Sequence, residues 1–124
     1  MNLLILVENT AMCRLIRSLI EGLPLSVSEC HDSSQALALC AAVQPDWVLL
    51  DLNLAGTDAF TTTRQISSAY PEARVVVLTE DNNPRLREAA QQAGAWCYLL
   101  KENLFDVRRL LHASPQQQPT NKDA

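Results

Sequence analysis

Short runs of apolar residues recur along the chain and alternate with stretches in which apolar residues are three or four positions apart. The runs at 3–7, 47–50, 74–78 and 96–100 are almost continuously apolar, which is typical of strands buried on both faces of a parallel sheet. Residues 25–30 alternate between apolar and polar, which predicts a strand nearer the sheet edge. The pattern therefore indicates five strands in all.

Helical periodicity and helix-capping residues fill the stretches between and after these runs. The predicted helices span approximately residues 12–20, 32–43, 57–69, 84–93 and 104–111. Gly22 and Gly94 stand where the first and fourth helices should end. Strands that alternate with helices predict a doubly wound α/β fold, with one parallel sheet and helices on both of its faces.

Polar side chains follow the predicted strands at the point where each strand ends. Asp51 ends the third strand, and a carboxylate is costly to place beside so apolar a strand unless a site requires it. Glu8 and Asn9 follow the first strand, Thr79 the fourth and Lys101 the fifth. Because the carboxyl ends of parallel strands meet at one sheet edge, where α/β folds bind ligands, we expect these residues to converge.

Each of these residues also has a purely structural interpretation. Asp51 and Thr79 could belong to a turn and a strand end, and Lys101 could begin a solvated helix. Glu8 and Asn9 could cap the first helix. Their occurrence at successive strand ends favours a shared site over independent structural roles.

The length of 124 residues and a hydrophobic content of 48% predict one globular domain over residues 1–113. Residues 114–124 are rich in Gln and lack apolar periodicity, so we expect a flexible tail or linker. The formal net charge of −4 argues against direct nucleic acid binding. No apolar run is long enough to span a bilayer and no signal peptide is evident, which predicts a cytoplasmic protein with no membrane partner.

The four cysteines, at positions 13, 30, 40 and 97, lie among apolar residues and form no CxxC motif. The two histidines, His31 and His112, share no metal-ligand spacing with them. We therefore expect reduced cysteines in the protein core, as in proteins of a reducing compartment.

In this order, the strand-end residues resemble those of the receiver domains of bacterial two-component response regulators. The resemblance covers roughly residues 3–112 and depends on four pieces of sequence. They are Glu8 after Leu-Ile-Leu-Val, Asp51 at the end of Pro-Asp-Trp-Val-Leu-Leu-Asp, Thr79 after Val-Val-Leu, and Lys101 at the end of Gly-Ala-Trp-Cys-Tyr-Leu-Leu-Lys. The resemblance implies a flavodoxin-like (βα)5 fold.

The resemblance also implies that Asp51 accepts a phosphoryl group from a sensor histidine kinase or a phosphotransfer protein. The hydroxyl of Thr79 and the ammonium group of Lys101 would bind the phosphoryl oxygens. Tyr98 would act with Thr79 as a switch, although an aromatic residue in a strand can equally be plain core. The face of helix four, strand five and helix five would contact a partner or a second copy in a homodimer. Such a domain is a signalling module and not an enzyme, beyond its own phosphorylation and dephosphorylation.

The family holds Mg²⁺ beside the phosphoacceptor. By position, the ligands here are Glu8, Asn9, Asp51 and the backbone carbonyl of Asn53. The family usually has two adjacent acids after the first strand, whereas the second position here is Asn9. An amide offers an oxygen but no negative charge, so we expect weak Mg²⁺ binding.

Two other functions fit parts of the sequence. The missing second acid is compatible with a receiver-like interaction module that acts without phosphorylation. A small flavodoxin-like cofactor binder is disfavoured, since Gly22, Gly56 and Gly94 form no phosphate-binding loop. The leading hypothesis is the phosphorylation-dependent receiver.

Overall fold

The computed structural model describes residues 1–54 and 58–112, and within them five parallel strands form one sheet. The strands are β1 (Asn2–Leu6), β2 (Ser26–Cys30), β3 (Trp47–Asp51), β4 (Arg74–Thr79) and β5 (Cys97–Leu100). The helices are α1 (Thr10–Leu19), α2 (Ala36–Val43), α3 (Ala59–Ala69), α4 (Pro84–Gln92) and α5 (Val107–His112). The strand order is β2-β1-β3-β4-β5, so β2 lies at the edge, as predicted.

Alternate side chains of the central strands enter two separate hydrophobic cores, one on each face of the sheet. On β1, Leu3 and Ile5 pack in the core that contains residues of α1 and α5. Leu4 and Leu6 pack in the opposite core, with residues of α2, α3 and α4. Burial on both faces explains why these strands are continuously apolar in sequence. The doubly wound, flavodoxin-like fold is confirmed.

Local signals in the sequence determine where several helices begin and end. Asn9, Asp58 and Asn83 accept hydrogen bonds from backbone N–H groups in the first turns of α1, α3 and α4. Gly94 follows α4 with a φ of 100°, a left-handed conformation that favours glycine. A Cβ atom at position 94 would lie only 2.6 Å from the side chain of Ser67 on α3, so the close approach of α3 also requires a glycine here.

The strand and helix bounds differ from the sequence pattern at a few residues. Val7 and Trp96 lie just beyond the ends of β1 and β5, although their N–H groups still donate to the carbonyls of Cys30 and Val75. The last helix differs more, because a 3₁₀ helix, Lys101–Asp106, precedes α5. It contains one residue with non-helical dihedral angles, with φ of −105° and ψ of 23°.

All four cysteines are buried, as predicted, and carry free thiols. Burial raises the pKa of the Cys40 and Cys97 thiols to about 11, which favours the protonated thiol at neutral pH. The predicted tail, residues 114–124, lies outside the described residues. Among the residues that are described, no helix has the length and apolar character needed to cross a membrane.

Candidate functional site

The polar residues at the strand ends meet at one edge of the sheet, where they line an open cavity of about 610 Å³. The lining residues are Glu8, Asn9, Thr10, Asp51, Asn53, Glu80 and Lys101. Five of these seven residues are among the six that the sequence predicts for the phosphoacceptor and metal site, and the sixth, Thr79, is not one of the lining residues. Residues that are far apart in sequence therefore converge because each one follows a strand of the same parallel sheet.

Asp51 lies at the carboxyl end of β3, the middle strand, and is only 4% exposed. Its Oδ2 lies 2.9 Å from the Lys101 ammonium nitrogen, and its Oδ1 accepts a hydrogen bond of 2.9 Å from the backbone N–H of Asn53. Both contacts offset the cost of burying the carboxylate. The sequence alone assigns no partner to this carboxylate, whereas the structure gives it an ammonium group on one oxygen and a backbone donor on the other.

Lys101 reaches Asp51 because it is the first residue after β5, on the strand side of the 3₁₀ helix. Its side chain is only 12% exposed, and its ammonium nitrogen also lies 3.9 Å from Oε1 of Glu80. Glu80 is 74% exposed and was not predicted as a site residue. Its position directly after Thr79, at a strand end, is the sequence signal that identifies it.

Glu8 and Asn9 follow β1 and are exposed at the mouth of the cavity. The amide Oδ1 of Asn9 accepts a hydrogen bond of 3.1 Å from the backbone N–H of Met12. Asn9 is thus the N-cap of α1, which was its structural alternative, and it also lines the cavity. The two roles coexist, because a carbonyl oxygen that accepts one hydrogen bond retains a second lone pair.

Thr79 and Tyr98 are connected through the backbone of Asp81. The Oγ1 of Thr79 accepts a hydrogen bond of 3.1 Å from the N–H of Asp81, and the hydroxyl of Tyr98 donates to the carbonyl of the same residue at 2.7 Å. Thr79 is buried and directly follows Leu78, the residue that pairs with Asp51 in the sheet. Asp81 therefore joins the two predicted switch residues, a connection that the sequence does not reveal.

The ring of Tyr98 is fully buried beneath the first turns of α4. The guanidinium group of Arg87 lies 5.5 Å from the ring centroid, within cation–π range. The same group donates a hydrogen bond of 2.7 Å to the side chain of Asn82. Two side chains thus bind the loop between β4 and α4: the Tyr98 hydroxyl donates to the backbone of Asp81, and Arg87 donates to the side chain of Asn82.

The donors around the cavity are oxygens, which is the ligand type that Mg²⁺ and similar hard cations prefer. The carboxylates of Glu8 and Asp51, the amide of Asn9 and the residue Asn53 all line it. This donor set fits a magnesium-type ion, with room for the waters that Mg²⁺ retains. Lys101 pairs with Oδ2 of Asp51, so a metal ion would bind Oδ1. That oxygen also accepts the hydrogen bond from the Asn53 N–H, so the ion would share it with this donor.

The site thus combines a buried acid at the end of the middle strand of an α/β fold with the lysine that directly follows β5. Residues 3–114 match the family described as the response regulator receiver domain. The match covers most of the chain, so the chain belongs to the response regulator receiver domain family. It is a receiver domain of the two-component signalling systems, which makes it a signalling domain.

Similar proteins agree with this assignment. The chain is 29% identical over 110 residues to the DNA-binding transcriptional regulator NtrC of Salmonella typhimurium. The aligned region covers 82% of this chain and 23% of NtrC. It is 29% identical over 94 residues to the transcriptional regulatory protein LiaR of Bacillus subtilis, which covers 75% of this chain and 44% of LiaR. The chain thus spans less than half the length of these two relatives.

Among solved structures, the chain resembles the phosphorylated cyanobacterial phytochrome response regulator RcpA with a TM-score of 0.80 and 25% identity. The superposition covers 96% of this chain and 98% of RcpA. Receiver domains of this family generally bind Mg²⁺ or a similar divalent ion and interact with histidine kinases and phosphotransfer proteins. Some of their relatives carry DNA-binding output domains.

Proposed function

We propose that Asp51 accepts a phosphoryl group from the phosphorylated histidine of a sensor kinase or a phosphotransfer protein. In this step an oxygen of Asp51 forms a bond to phosphorus as the bond from phosphorus to the imidazole nitrogen breaks, and the imidazole retains the electron pair. The observation that carries the proposal is the buried carboxylate at the end of β3, with Lys101 at 2.9 Å and an open cavity in front of it. Such a transfer requires positioning and charge neutralisation more than covalent help.

Burial distinguishes Asp51 from the other acids at this edge. Glu8 and Glu80 are exposed to solvent, and neither lies within hydrogen-bonding distance of the Lys101 ammonium group, which is 3.9 Å from Glu80. A phosphoryl group on Asp51 would lie beside that ammonium group, and Lys101 would then bind a phosphoryl oxygen in place of the carboxylate. The pair seen between Asp51 and Lys101 therefore preorganises the cation for the reaction.

We also propose that Mg²⁺ is held here by Glu8, Asn9, Asp51 and the backbone carbonyl of Asn53. When bound, the ion would neutralise negative charge on the phosphoryl group. The binding should be weak in the unmodified protein, because Asn9 contributes no charge and its amide oxygen already accepts the Met12 N–H at 3.1 Å. Glu8, with its longer stem, can compensate in part.

The proposed switch acts through Thr79, Asp81 and Tyr98. A phosphoryl oxygen that binds the Thr79 hydroxyl would draw it away from the Asp81 N–H, which it accepts at 3.1 Å. The Asp81 carbonyl, which holds the Tyr98 hydroxyl at 2.7 Å, would then shift. This changes the face formed by α4, β5 and α5, which we propose as the contact surface for an output partner or a homodimer.

The interaction module that acts without phosphorylation is the less favoured alternative, since the pairing of Asp51 with Lys101 in an open cavity supports phosphoryl transfer. We further propose that residues 1–113 form the receiver domain, that residues 114–124 form a tail or linker, and that the protein acts in the cytoplasm. Chemistry at Asp51 would be limited to uptake and hydrolysis of its own phosphoryl group, and this domain would not contact nucleic acid directly.

Intact mass spectrometry after incubation with Mg²⁺ and a small phosphodonor such as acetyl phosphate tests the proposal. We expect one added phosphoryl group in the unmodified protein and in Asp46→Asn, a matched acid at the other end of β3, but none in Asp51→Asn. Phosphorylation that persists in Asp51→Asn would show that another residue is the acceptor. No phosphorylation of the unmodified protein by either the phosphodonor or a phosphorylated kinase would favour the phosphorylation-independent module.

A further inference from the structure

A second group of side chains of the types that bind metals lies near the edge strand β2, away from Asp51. Cys13 lies on α1, Glu29 lies on β2, and His31 follows that strand directly. The sulfur of Cys13, a carboxylate oxygen of Glu29 and an imidazole nitrogen of His31 all lie within 4.8 Å of one another. None of these residues lines the cavity at Asp51 in the described part of the chain.

We propose that Cys13, Glu29 and His31 form a binding site for a zinc-type divalent cation, with water as the fourth ligand. Zinc accepts thiolate, imidazole and carboxylate ligands in a tetrahedral arrangement, whereas Mg²⁺ avoids the first two. Two ligand atoms of one tetrahedral zinc are about 3.3–3.6 Å apart, given Zn–N and Zn–O distances near 2.0 Å and Zn–S near 2.3 Å. The ligand atoms, all within 4.8 Å of one another, therefore need to approach by at most about 1.5 Å to reach the spacing that the ion requires.

The hydrogen bond of His31 prepares its other ring nitrogen for a metal. The Nδ1 of His31 lies 2.8 Å from the carbonyl oxygen of Val7, so this nitrogen carries the proton and donates. Because Nδ1 is engaged by Val7, Nε2 is the ring nitrogen that is left for a metal, and it lies 3.8 Å from Oε1 of Glu29. That separation is too long for a hydrogen bond and close to the spacing of two ligands on one ion. A backbone carbonyl on the second nitrogen is the usual support of a metal-bound histidine.

The three side chains also form an access route from solvent to the sulfur. His31 is exposed, Glu29 is half-buried and Cys13 is buried. An ion can therefore meet the imidazole first and reach the thiol last. His31 lies beyond the end of β2, so it is free of the strand ladder and can close on the ion.

Two features of the ion-free protein oppose binding and limit its strength. Burial and the neighbouring Glu29 raise the pKa of the Cys13 thiol to about 11. On binding, the S–H bond must therefore break, the proton must leave to solvent, and the sulfur must bond to the metal. Arg17 is paired with Oε2 of Glu29, and its positive charge repels the ion. The other carboxylate oxygen, Oε1, lies 3.8 Å from Nε2 of His31 and would bind the metal, while the hydrogen bond between the Cys13 thiol and the Glu29 side chain would be given up with the thiol proton.

Cobalt(II) titration of the full chain under reducing conditions, with excess Mg²⁺ present, tests the site. We expect one equivalent of Co²⁺ to bind at micromolar protein concentration, with a thiolate-to-cobalt charge-transfer band and the visible bands of tetrahedral Co²⁺. Zn²⁺ should displace the cobalt and abolish these bands, and Mg²⁺ should not. Zn²⁺ should also raise the melting temperature, because it ties α1 to β2 in the folded state only.

Matched variants separate this site from other thiols and histidines. Cys13→Ala should lose the charge-transfer band, whereas Cys40→Ala, which removes an equally buried thiol, should keep it. His31→Gln should weaken Co²⁺ binding at least about tenfold, whereas His112→Gln, another exposed histidine, should leave it unchanged.

The absence of a thiolate band in the unmodified protein would overturn the proposal. A band that persists in Cys13→Ala, or one that is lost equally in Cys40→Ala, would also overturn it. If Cys13→Ala does not fold, His31→Gln and its His112→Gln control still decide the matter, because both histidines are exposed. Equal Co²⁺ affinity in those two variants would then contradict the assignment.

Discussion

Two aspartates bracket β3, and the structure uses them in different ways. Asp46 precedes the strand and its carboxylate accepts the backbone N–H of Asn2 at 2.7 Å, while its own N–H and carbonyl bond to the backbones of Asn2 and Arg74. Asp51 ends the strand, and its Oδ2 pairs with the side chain of Lys101 at 2.9 Å. The carboxylate of Asp46 is thus bonded to a backbone group, whereas Oδ2 of Asp51 is bonded to a side chain, which has rotatable bonds of its own.

The same contrast holds for the cavities at the two ends of the sheet. The cavity at Asp51 measures about 610 Å³, and the cavity at Asp46, lined by residues 44–46 and 69–73, measures about 480 Å³. Their sizes are similar, so volume does not distinguish them. The difference is that one cavity contains a carboxylate beside a nearly buried ammonium group. The ion pair between Asp51 and Lys101, and not the volume of the cavity, is therefore the feature that identifies the candidate reactive site.

The largest expected effect follows from removal of the Lys101 ammonium group beside Asp51. Lys101→Met should slow phosphorylation of Asp51 by about 100- to 1,000-fold, the usual effect of losing one preorganised group that stabilises transition-state charge. Arg74→Met is the matched control, because Arg74 is a basic residue at the opposite end, where it stacks 5.0 Å from the Trp47 ring centroid. The rates are measured by intact mass against time. Equal rates in the two variants would mean that Lys101 has no role in phosphoryl transfer.

The next effect concerns stability at the opposite end. Asp46→Ala should lower the free energy of unfolding by about 1–3 kcal/mol, because it leaves the half-buried N–H of Asn2 without its acceptor. Phosphorylation should proceed as before, since this end takes no part in it. Urea denaturation is the measurement, and Glu72→Ala, an exposed acid that lines the same cavity, is the control. An equally small loss in both variants would remove the distinction between a tied acid and a free one.

Asn9→Asp tests the departure from the usual family pattern. The added charge should strengthen Mg²⁺ binding by roughly 1–2 kcal/mol, or about tenfold, after desolvation offsets part of the Coulomb gain. Stability should hardly change, since Asp caps a helix as well as Asn does. Asn83→Asp is the control, because Asn83 caps α4 in the same way but does not line the cavity.

Titration calorimetry suits this measurement better than fluorescence. Trp47 and Trp96 contact each other at the amino ends of β3 and β5, with ring centroids 5.0 Å apart, so they report on the end away from the site. If Asn9→Asp and Asn83→Asp bind Mg²⁺ equally, then Asn9 does not face the ion or Glu8 already supplies the missing charge.

The sequence predicts the features that depend on strand order and fails for those that depend on side-chain direction. Period and burial identify the strands, and parallel topology then brings Asp51 and Lys101 to one edge. The partner of each carboxylate oxygen depends on rotamers, so neither the contact of Lys101 with Glu80 nor the bridging role of Asp81 follows from the pattern. His31 illustrates the same limit, because no spacing rule relates it to Cys13, and adjacency of α1 and β2 alone brings them together.

The smallest effect concerns the hydroxyl that holds the β4–α4 loop. Tyr98→Phe removes the donor to the Asp81 carbonyl, at 2.7 Å, and should lower the free energy of unfolding by about 1 kcal/mol. The ring itself stays buried beneath Arg87, so packing should be retained. Tyr70→Phe, at the cavity around Asp46, is the matched control.

The informative readout for Tyr98→Phe is the loop and not the phosphoryl transfer. Lys101 and Asp51 are untouched, so Asp51 should be phosphorylated at the normal rate. The amide resonances of Asp81 and Asn82 should differ from those of the unmodified protein before phosphorylation, because the loop loses one of its two anchors. Phosphorylation should then shift the amide resonance of residue 98 less than in the wild-type protein, since no hydrogen bond carries the movement of Thr79 and Asp81 to that side chain. A full-sized shift at residue 98 in Tyr98→Phe would mean that the hydroxyl does not transmit the movement and that the two ends of this connection are independent.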